Sequence, residues 1–361
     1  MDSNGKIVFV VVTVLVMIGI VMIYSSSGIY AYKAYGDSLF FVKRHLCYLA
    51  IGVLAALFFM SIPQKAIRDN SKFMMLFTFA LLFAVLIPGI GVQAGGARRW
   101  IRIAGLGFQP SEVAKLAVIL YLADFSSRKR YIMGRFREGF LPACVVLLMT
   151  AGMVVLEPDL GTSVAISFVG FTMLFISGMD ARYVTAVLAT AIPALWGLIL
   201  IAPYRIRRMT TFVDPWNDPK GAGFQLVQSF IALGSGGLCG VGLGASKQKL
   251  FYLPQSHTDF IYSIIGEELG FLGALTVLLL FVVLIWYSLR VAFKIKDLYM
   301  SRVVFGISAM IAFEAIVNMG VSMGALPTKG LPLPFISYGG SSLVVHLAAV
   351  GILLNFSRGV E

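Results

Sequence analysis

The sequence predicts an all-α polytopic membrane protein of about ten transmembrane helices, with a long external loop between helices 7 and 8. Two observations predict it. Of the 361 residues, 59% are hydrophobic and only 13% charged, whereas soluble domains run to about half and about a quarter. The apolar residues also gather in long stretches, and a helix needs about 20 of them to cross ~30 Å of hydrocarbon.

In chain order the predicted spans are 7–27, 46–62, 73–90, 112–125, 140–156, 160–178, 183–202, 260–289, 303–324 and 341–356. The fourth is short, and the eighth is long enough to begin outside the bilayer. The first is too long for the apolar core of a signal peptide and has no clear small-x-small cleavage site, so it is expected to remain as an anchor. No soluble stretch is left over, and residues 1–361 read as a single transmembrane domain. Cys47, Cys144 and Cys239 cannot build a disulfide framework and read as small hydrophobes.

The net charge is +12. Its lysines and arginines form short clusters between apolar stretches and no stripe on a polar domain. Anionic lipid headgroups or a phosphorylated lipid are therefore the expected partners, and nucleic acid is not. With an even number of spans both termini share one side. Placing them in the cytoplasm puts 15 Lys and Arg on cytoplasmic segments and 13 on external ones, six of the latter in the single loop 203–259. Long loops weigh little in this rule, so cytoplasmic termini are favoured. Segments 91–111, 157–159, 203–259 and 325–340 are then external, and they hold most of the unusual residues. A face that concentrates Gly, Pro and charge is a working face.

Arg98, Arg99 and Arg102 surround Trp100 in the first of these segments, near Gly95 and Gly96. Positive charge on this side runs against the topology bias and suits a diphosphate, with anionic headgroups as the alternative. Glu112 and Lys115 stand three residues apart at a helix start, as a structural ion pair or a substrate-lining pair. Glu157 and Asp159 bracket Pro158 at a tight turn, where Asp159 is also placed to cap the next helix.

The loop 203–259 opens with Arg205, Arg207 and Arg208, and residues 224–233 then read as an interfacial helix with Phe224, Val227, Phe230 and Ile231 on its apolar face. Residues 234–244 hold six glycines in eleven positions. With no Walker ending and no preceding strand, they indicate tight backbone packing more than phosphate binding. The loop ends at His257, Thr258 and Asp259, at the mouth of span eight. A carboxylate there stays solvated enough to ionise and still faces a lipid-borne substrate, which suits a general base; a helix N-cap is the alternative. Glu267, Glu268 and Glu314 lie inside spans and read as helix–helix hydrogen-bonding groups. His346 reads as a packed polar residue, since no second ligand lies at metal spacing on its segment.

Four segments in this order resemble one family across essentially the whole chain. They are Gly96-Ala-Arg-Arg-Trp-Ile101 with Gln109-Pro-Ser-Glu-Val-Ala-Lys115; Glu157-Pro-Asp-Leu-Gly-Thr162; the stretch from Asp218 through the glycines to Phe260; and Leu333-Pro-Phe-Ile-Ser-Tyr-Gly-Gly-Ser-Ser342. The family is that of the FtsW/RodA peptidoglycan glycosyltransferases of shape, elongation, division and sporulation, and the first and third segments lean to the division or sporulation branch. The resemblance implies polymerisation of lipid II into β-1,4 glycan strands at the outer face of the bacterial cytoplasmic membrane. It also implies a class B penicillin-binding protein as transpeptidase partner, within a division or elongation complex.

On the same resemblance the family's catalytic aspartate falls on Asp259. Its sensitive Glu-x-x-Lys pair falls on Glu112 and Lys115, its Pro-Asp-Leu-Gly aspartate on Asp159, and its Ser-Tyr-Gly-Gly segment on Ser337 to Gly340. Arg98, Arg99, Glu112, Lys115, Asp159, Arg205, His257, Ser337 and Tyr338 are the expected substrate-binding residues. Asp259 is the expected general base of an inverting displacement, or else a ligand of a divalent cation (Mg or Mn) bridging it to phosphate. Many members carry Glu where this chain has Gln255. Rival readings are a lipid II flippase, which needs ionisable groups through the midplane, and a non-catalytic scaffold.

Overall fold

The computed structural model describes residues 2–94, 97–103, 105–201, 203–250 and 253–360. Each of the ten predicted spans coincides with a helix: α1 (Ser3–Tyr35), α2 (Phe40–Ser61), α4 (Ser71–Leu86), α5 (Pro110–Arg128), α6 (Leu141–Leu156), α7 (Leu160–Ile176), α8 (Ala181–Leu200), α11 (Ile261–Lys294), α12 (Leu298–Ser322) and α13 (Ser341–Phe356). Three shorter helices, α3 (Gln64–Asp69), α9 (Pro203–Val213) and α10 (Phe224–Ser235), lie between them. Among the described residues six helices are long and apolar enough to cross a membrane by length and composition alone, and α4 and α7 are shorter apolar helices.

The helix ends follow local chemistry. Asp2 caps α1, Asp159 caps α7 and Asp297 caps α12, each accepting a backbone N–H of the first turn. Pro110 opens α5 at a position where a missing N–H costs nothing. Phe58, Phe73, Leu76 and Trp286 point outward, as lipid-facing residues must, while α5, α12 and α13 are buried at the centre.

One segment departs from an all-helical reading. Residues 91–108 form a small antiparallel sheet of β1 (Gly91–Ala94), β2 (Ala97–Ile103) and β3 (Leu106–Phe108), with β2 central. A three-stranded ribbon satisfies its central backbone groups within itself, which a loop over a membrane surface also requires.

The interfacial helix forms as α10, but a different face is buried. Leu226, Val227, Ser229 and Ala232 are covered, and Ile231, expected on the apolar side, is exposed. Ser229 Oγ lies 2.6 Å from Ser263 Oγ in α11 and donates to the Ser322 carbonyl of α12 at 2.7 Å. A hydroxyl with two partners is readily buried, so Ser229 lies on the covered face.

The glycine stretch packs backbone on backbone. Val241 and Gly242 N–H groups bond the Glu267 and Glu268 carbonyls at 3.0 Å, and Phe271 N–H bonds the Gly237 carbonyl at 2.9 Å. α11 breaks there, because Gly270 adopts φ 71°, ψ −168°. A Cβ on Gly270 would run into the backbone N of Gly240, and one on Gly240 into the Glu268 carbonyl. Gly270→Ala therefore combines a disfavoured dihedral with a backbone clash. We expect it to undock the 237–244 turn and raise the rate of limited proteolysis there.

Candidate functional site

The sequence-predicted residues converge where the starts of α5, α7, α11 and α13 meet the sheet. Gln109, the residue before α5, is buried and extended. Its Nε2 donates to Asp159 Oδ2 and to Ser111 Oγ, both at 2.9 Å, and its N–H bonds Ser341 Oγ at 3.2 Å. Asp159 also accepts the N–H and hydroxyl of Thr162, at 3.1 and 3.0 Å. Arg99 approaches from β2, 3.6 Å from Asp159.

Asp259 is half-buried at the mouth of α11. The helix N-cap is Phe260 and no side chain caps it, so the capping alternative for Asp259 does not hold. Among the described residues none hydrogen-bonds its carboxylate. Burial pushes its pKa up to about 6, with Arg208 and Arg99 pulling it down and Asp159 adding to the rise. Glu157 is the more extreme case. It is wholly buried, neither oxygen has a hydrogen-bond partner among the described residues, and burial with the Asp159 charge pushes it up to about 8 against the pull of Arg99. Two carboxyl groups thus share one arginine and are tuned differently by their surroundings.

The remaining candidates hold this arrangement in place. Ser337 Oγ donates to the Thr258 carbonyl at 2.6 Å and accepts the Leu333 N–H at 2.9 Å, and the Tyr338 N–H bonds the His257 carbonyl at 3.0 Å. His257 packs against a cluster of aromatic rings, 4.6 Å from Phe41 and 6.0 Å from Tyr30 by ring centroids. Burial lowers it to about 4, so the imidazole is neutral. Tyr338, beside Phe41, is raised to about 12 by burial. Arg98 lies exposed on β2, and the side chain of Arg205 lies outside the described residues.

Glu112 and Lys115 do pair, at 2.9 Å, but within a larger set. The Lys115 ammonium also bonds Glu314 of α12, whose other oxygen is 2.9 Å from His346 Nε2 of α13. His346 Nδ1 faces the Ser342 carbonyl at 2.7 Å. All four side chains are at most 4% exposed, so Lys115 is engaged by two carboxylates in the helix core. Glu268 similarly bonds Ser25 of α1 and Lys249, while Glu267 holds Ser246 and the Lys247 N–H.

Asn318 was not legible as a site residue. Its Nδ2 donates to the Asp259 carbonyl at 3.0 Å and the Leu331 carbonyl at 2.8 Å, tying the two loops together. The signal was an amide inside an apolar span. Asn318→Ala is expected to lower turnover about tenfold with little change in apparent substrate affinity, read in a steady-state assay of the lipid II polymerisation that the family resemblance implies. Gly330, next to Leu331, lies so close that a Cβ would be 3.0 Å from Asp259 Oδ2.

An apolar groove reaches this point. A cavity of about 570 Å³ runs between α7, α11 and α12, lined by Phe168, Phe305 and Phe313, and ends at Gly161, Lys329 and Leu331. Among the described residues no group of three or more His, Cys, Asp or Glu is placed to hold a metal. Magnesium sites, however, take one or two carboxylates and draw the rest from substrate phosphates. Asp159 and Asp259 fit that limited role.

The fold and this cluster define a multi-pass membrane protein with a group of buried and half-buried carboxyl groups at one end of its helix bundle. Residues 6–361 match the family described as cell cycle protein, FtsW/RodA/SpoVE, and the chain belongs to that family. It is 45% identical to stage V sporulation protein E of Bacillus subtilis (strain 168), over 99% of this chain and 98% of that one. It is 43% identical to a probable peptidoglycan glycosyltransferase FtsW of Geobacter sp. (strain M18), over 99% and 97%. Among solved structures it is similar to a chain from work on structural coordination of polymerization and crosslinking by a peptidoglycan synthase complex. There the TM-score is 0.79 and identity 30%, covering 98% of this chain and 97% of that one. It is also similar to the rod shape determining protein RodA of Thermus thermophilus, with TM-score 0.73 and 27% identity over 97% and 95%.

Proposed function

We propose that this chain is a peptidoglycan glycosyltransferase that polymerises lipid II, with Asp259 as general base. The observation that carries this reading is the half-buried Asp259 carboxylate, which accepts no hydrogen bond among the described residues and lies in the field of Arg99 and Arg208, at the end of an apolar groove. The groove suits the polyprenyl tail and the arginines suit the diphosphate. The acceptor 4-hydroxyl gives its proton to Asp259 while its oxygen attacks the anomeric carbon of the donor. The bond to the lipid diphosphate breaks with inversion, and the arginines stabilise the charge that leaves. A divalent cation held by Asp159 or Asp259 and the diphosphate would supply Lewis acidity there.

The reaction side faces outward and both termini lie in the cytoplasm, on the charge argument above. A class B penicillin-binding protein is the partner this reading requires, in a division or elongation complex. The buried quartet of Glu112, Lys115, Glu314 and His346 is the observation that favours a flippase. It is enclosed and internally paired and lines neither the apolar groove nor the cavity beside the sheet, which argues against a role in transport.

A base acts in its deprotonated form. With Asp259 near 6, polymerisation is expected to fall as pH drops through about 6 and to level off above about 7. Rates from labelled lipid II between pH 5 and 8 test this; a flat acid limb in a folded enzyme would remove Asp259 from proton transfer.

A further inference from the structure

A second cavity, of about 390 Å³, opens between the start of α2 and the sheet, lined by Arg44, Val92, Trp100, Arg102, Gly105 and Gly107. Its walls are fixed by hydrogen bonds. Arg44 and Tyr48 stand four residues apart on one face of α2 and grip the β2–β3 turn. Arg44 Nη2 donates to the Gly105 carbonyl at 3.2 Å, while the Tyr48 hydroxyl bonds both the N–H and the carbonyl of Gly107, at 2.8 and 2.9 Å. Gly107 lies flat against the indole, since a Cβ there would be 3.2 Å from a Trp100 ring carbon. The space is therefore preformed.

Its charge is uncompensated. Among the described residues neither Arg44 nor Arg102 has a carboxylate at ion-pair distance, and the nearby Asp37 is taken by Lys43 at 2.8 Å. Pairing sets this group apart from the carboxylate cluster. Trp100 and Arg102 share one face of β2, whereas Arg99, in the bulge between Arg98 and Trp100, pairs with Asp159. The two are still neighbours, because the Arg44 charge acts on the Tyr338 hydroxyl and the Tyr338 ring lies 5.9 Å from that of His257.

We propose that Arg44, Trp100 and Arg102 form a second substrate subsite, which holds the diphosphate-linked sugar of one of the two lipid-borne substrates. The inference rests on the polymerase reading and deepens it. Each step of such a polymerase joins two molecules that both carry a diphosphate, and the Arg99–Arg208 site accounts for only one. Two guanidinium forks match a diphosphate, the indole offers apolar area to the C–H face of a pyranose, and the volume falls in the range of small-ligand pockets. The headgroup of an anionic phospholipid shares the phosphate chemistry but not the sugar.

The test measures equivalents of radiolabelled lipid II bound to the full chain with its transpeptidase in nanodiscs. Asp259→Asn is used to prevent turnover. Two equivalents are expected, and one when Arg102→Gln is added. Among the described residues the Arg102 side chain makes no hydrogen bond, so this change leaves the bonds that fix the cavity walls intact. In the otherwise native enzyme Arg102→Gln should raise KM for lipid II about tenfold or more, with a smaller change in kcat. Two equivalents retained in the Asp259→Asn/Arg102→Gln protein, or an unaltered KM, would overturn the subsite. So would displacement of the second equivalent by phosphatidylglycerol as readily as by unlabelled lipid II, which would assign the cavity to a phospholipid headgroup. Failure of the wild type to bind or polymerise lipid II at all is the separate outcome that overturns the polymerase reading.

Discussion

Asp259→Asn is expected to lower glycan polymerisation by about 10²–10⁴-fold, the usual contribution of a positioned base. The substitution is nearly isosteric, and no hydrogen bond to the carboxylate among the described residues is lost. The backbone carbonyl that receives Asn318 is untouched. Stability and partner binding should therefore remain close to wild type while turnover falls. Labelled lipid II, followed by gel separation of the products, reads the rate, and a melting curve in the same nanodiscs reads the fold. If the asparagine variant kept full activity, Asp259 would have no part in proton transfer, and Glu157 and Asp159 would become the carboxyl groups to test.

Lys115→Met is expected to destabilise the protein by about 3–5 kcal/mol, the scale of breaking a buried ion pair from one side. Lys115 lies between Glu112 and Glu314 with 2% of its side chain exposed, and removing it leaves two carboxylates facing each other inside the helix core. The pair joins α5 to α12, and His346 extends the link to α13. The melting temperature should drop sharply and the expressed yield with it. Adding Glu314→Gln removes one of the stranded charges and should recover part of the loss. If Lys115→Met were as stable as wild type while activity vanished, the lysine would belong to substrate binding and not to the core.

The spans and the loop motifs were legible because both are local signals. An apolar run long enough to cross hydrocarbon announces itself, and Asp259, Asp159 and the glycine stretch stand out as charge or flexibility at span ends. The sheet at 91–108 was not legible. β2 carries Arg98, Arg99 and Arg102 and is interrupted by a bulge between Arg98 and Trp100, so it shows no alternating apolar face of the kind strand reading looks for. The i,i+3 spacing of Glu112 and Lys115 predicted their pairing, but Glu314 and His346 join them from helices about 200 residues away, which spacing cannot reveal. The buried face of α10 departs from its apolar face for a related reason: Ser229 is polar in sequence and becomes core only once Ser263 and Ser322 supply its partners. Asn318 carries no local signal of its role, because the carbonyls it joins lie 59 and 13 residues away.

The most direct test of the central claim is polymer formation by purified wild-type chain with its cognate transpeptidase, supplied with labelled lipid II. The expected product is a ladder of glycan strands that a β-1,4-specific muramidase digests completely, with undecaprenyl diphosphate released in step. A folded, partner-bound protein that makes no polymer, but moves labelled lipid II across a vesicle membrane, would contradict the assignment and establish a flippase in its place.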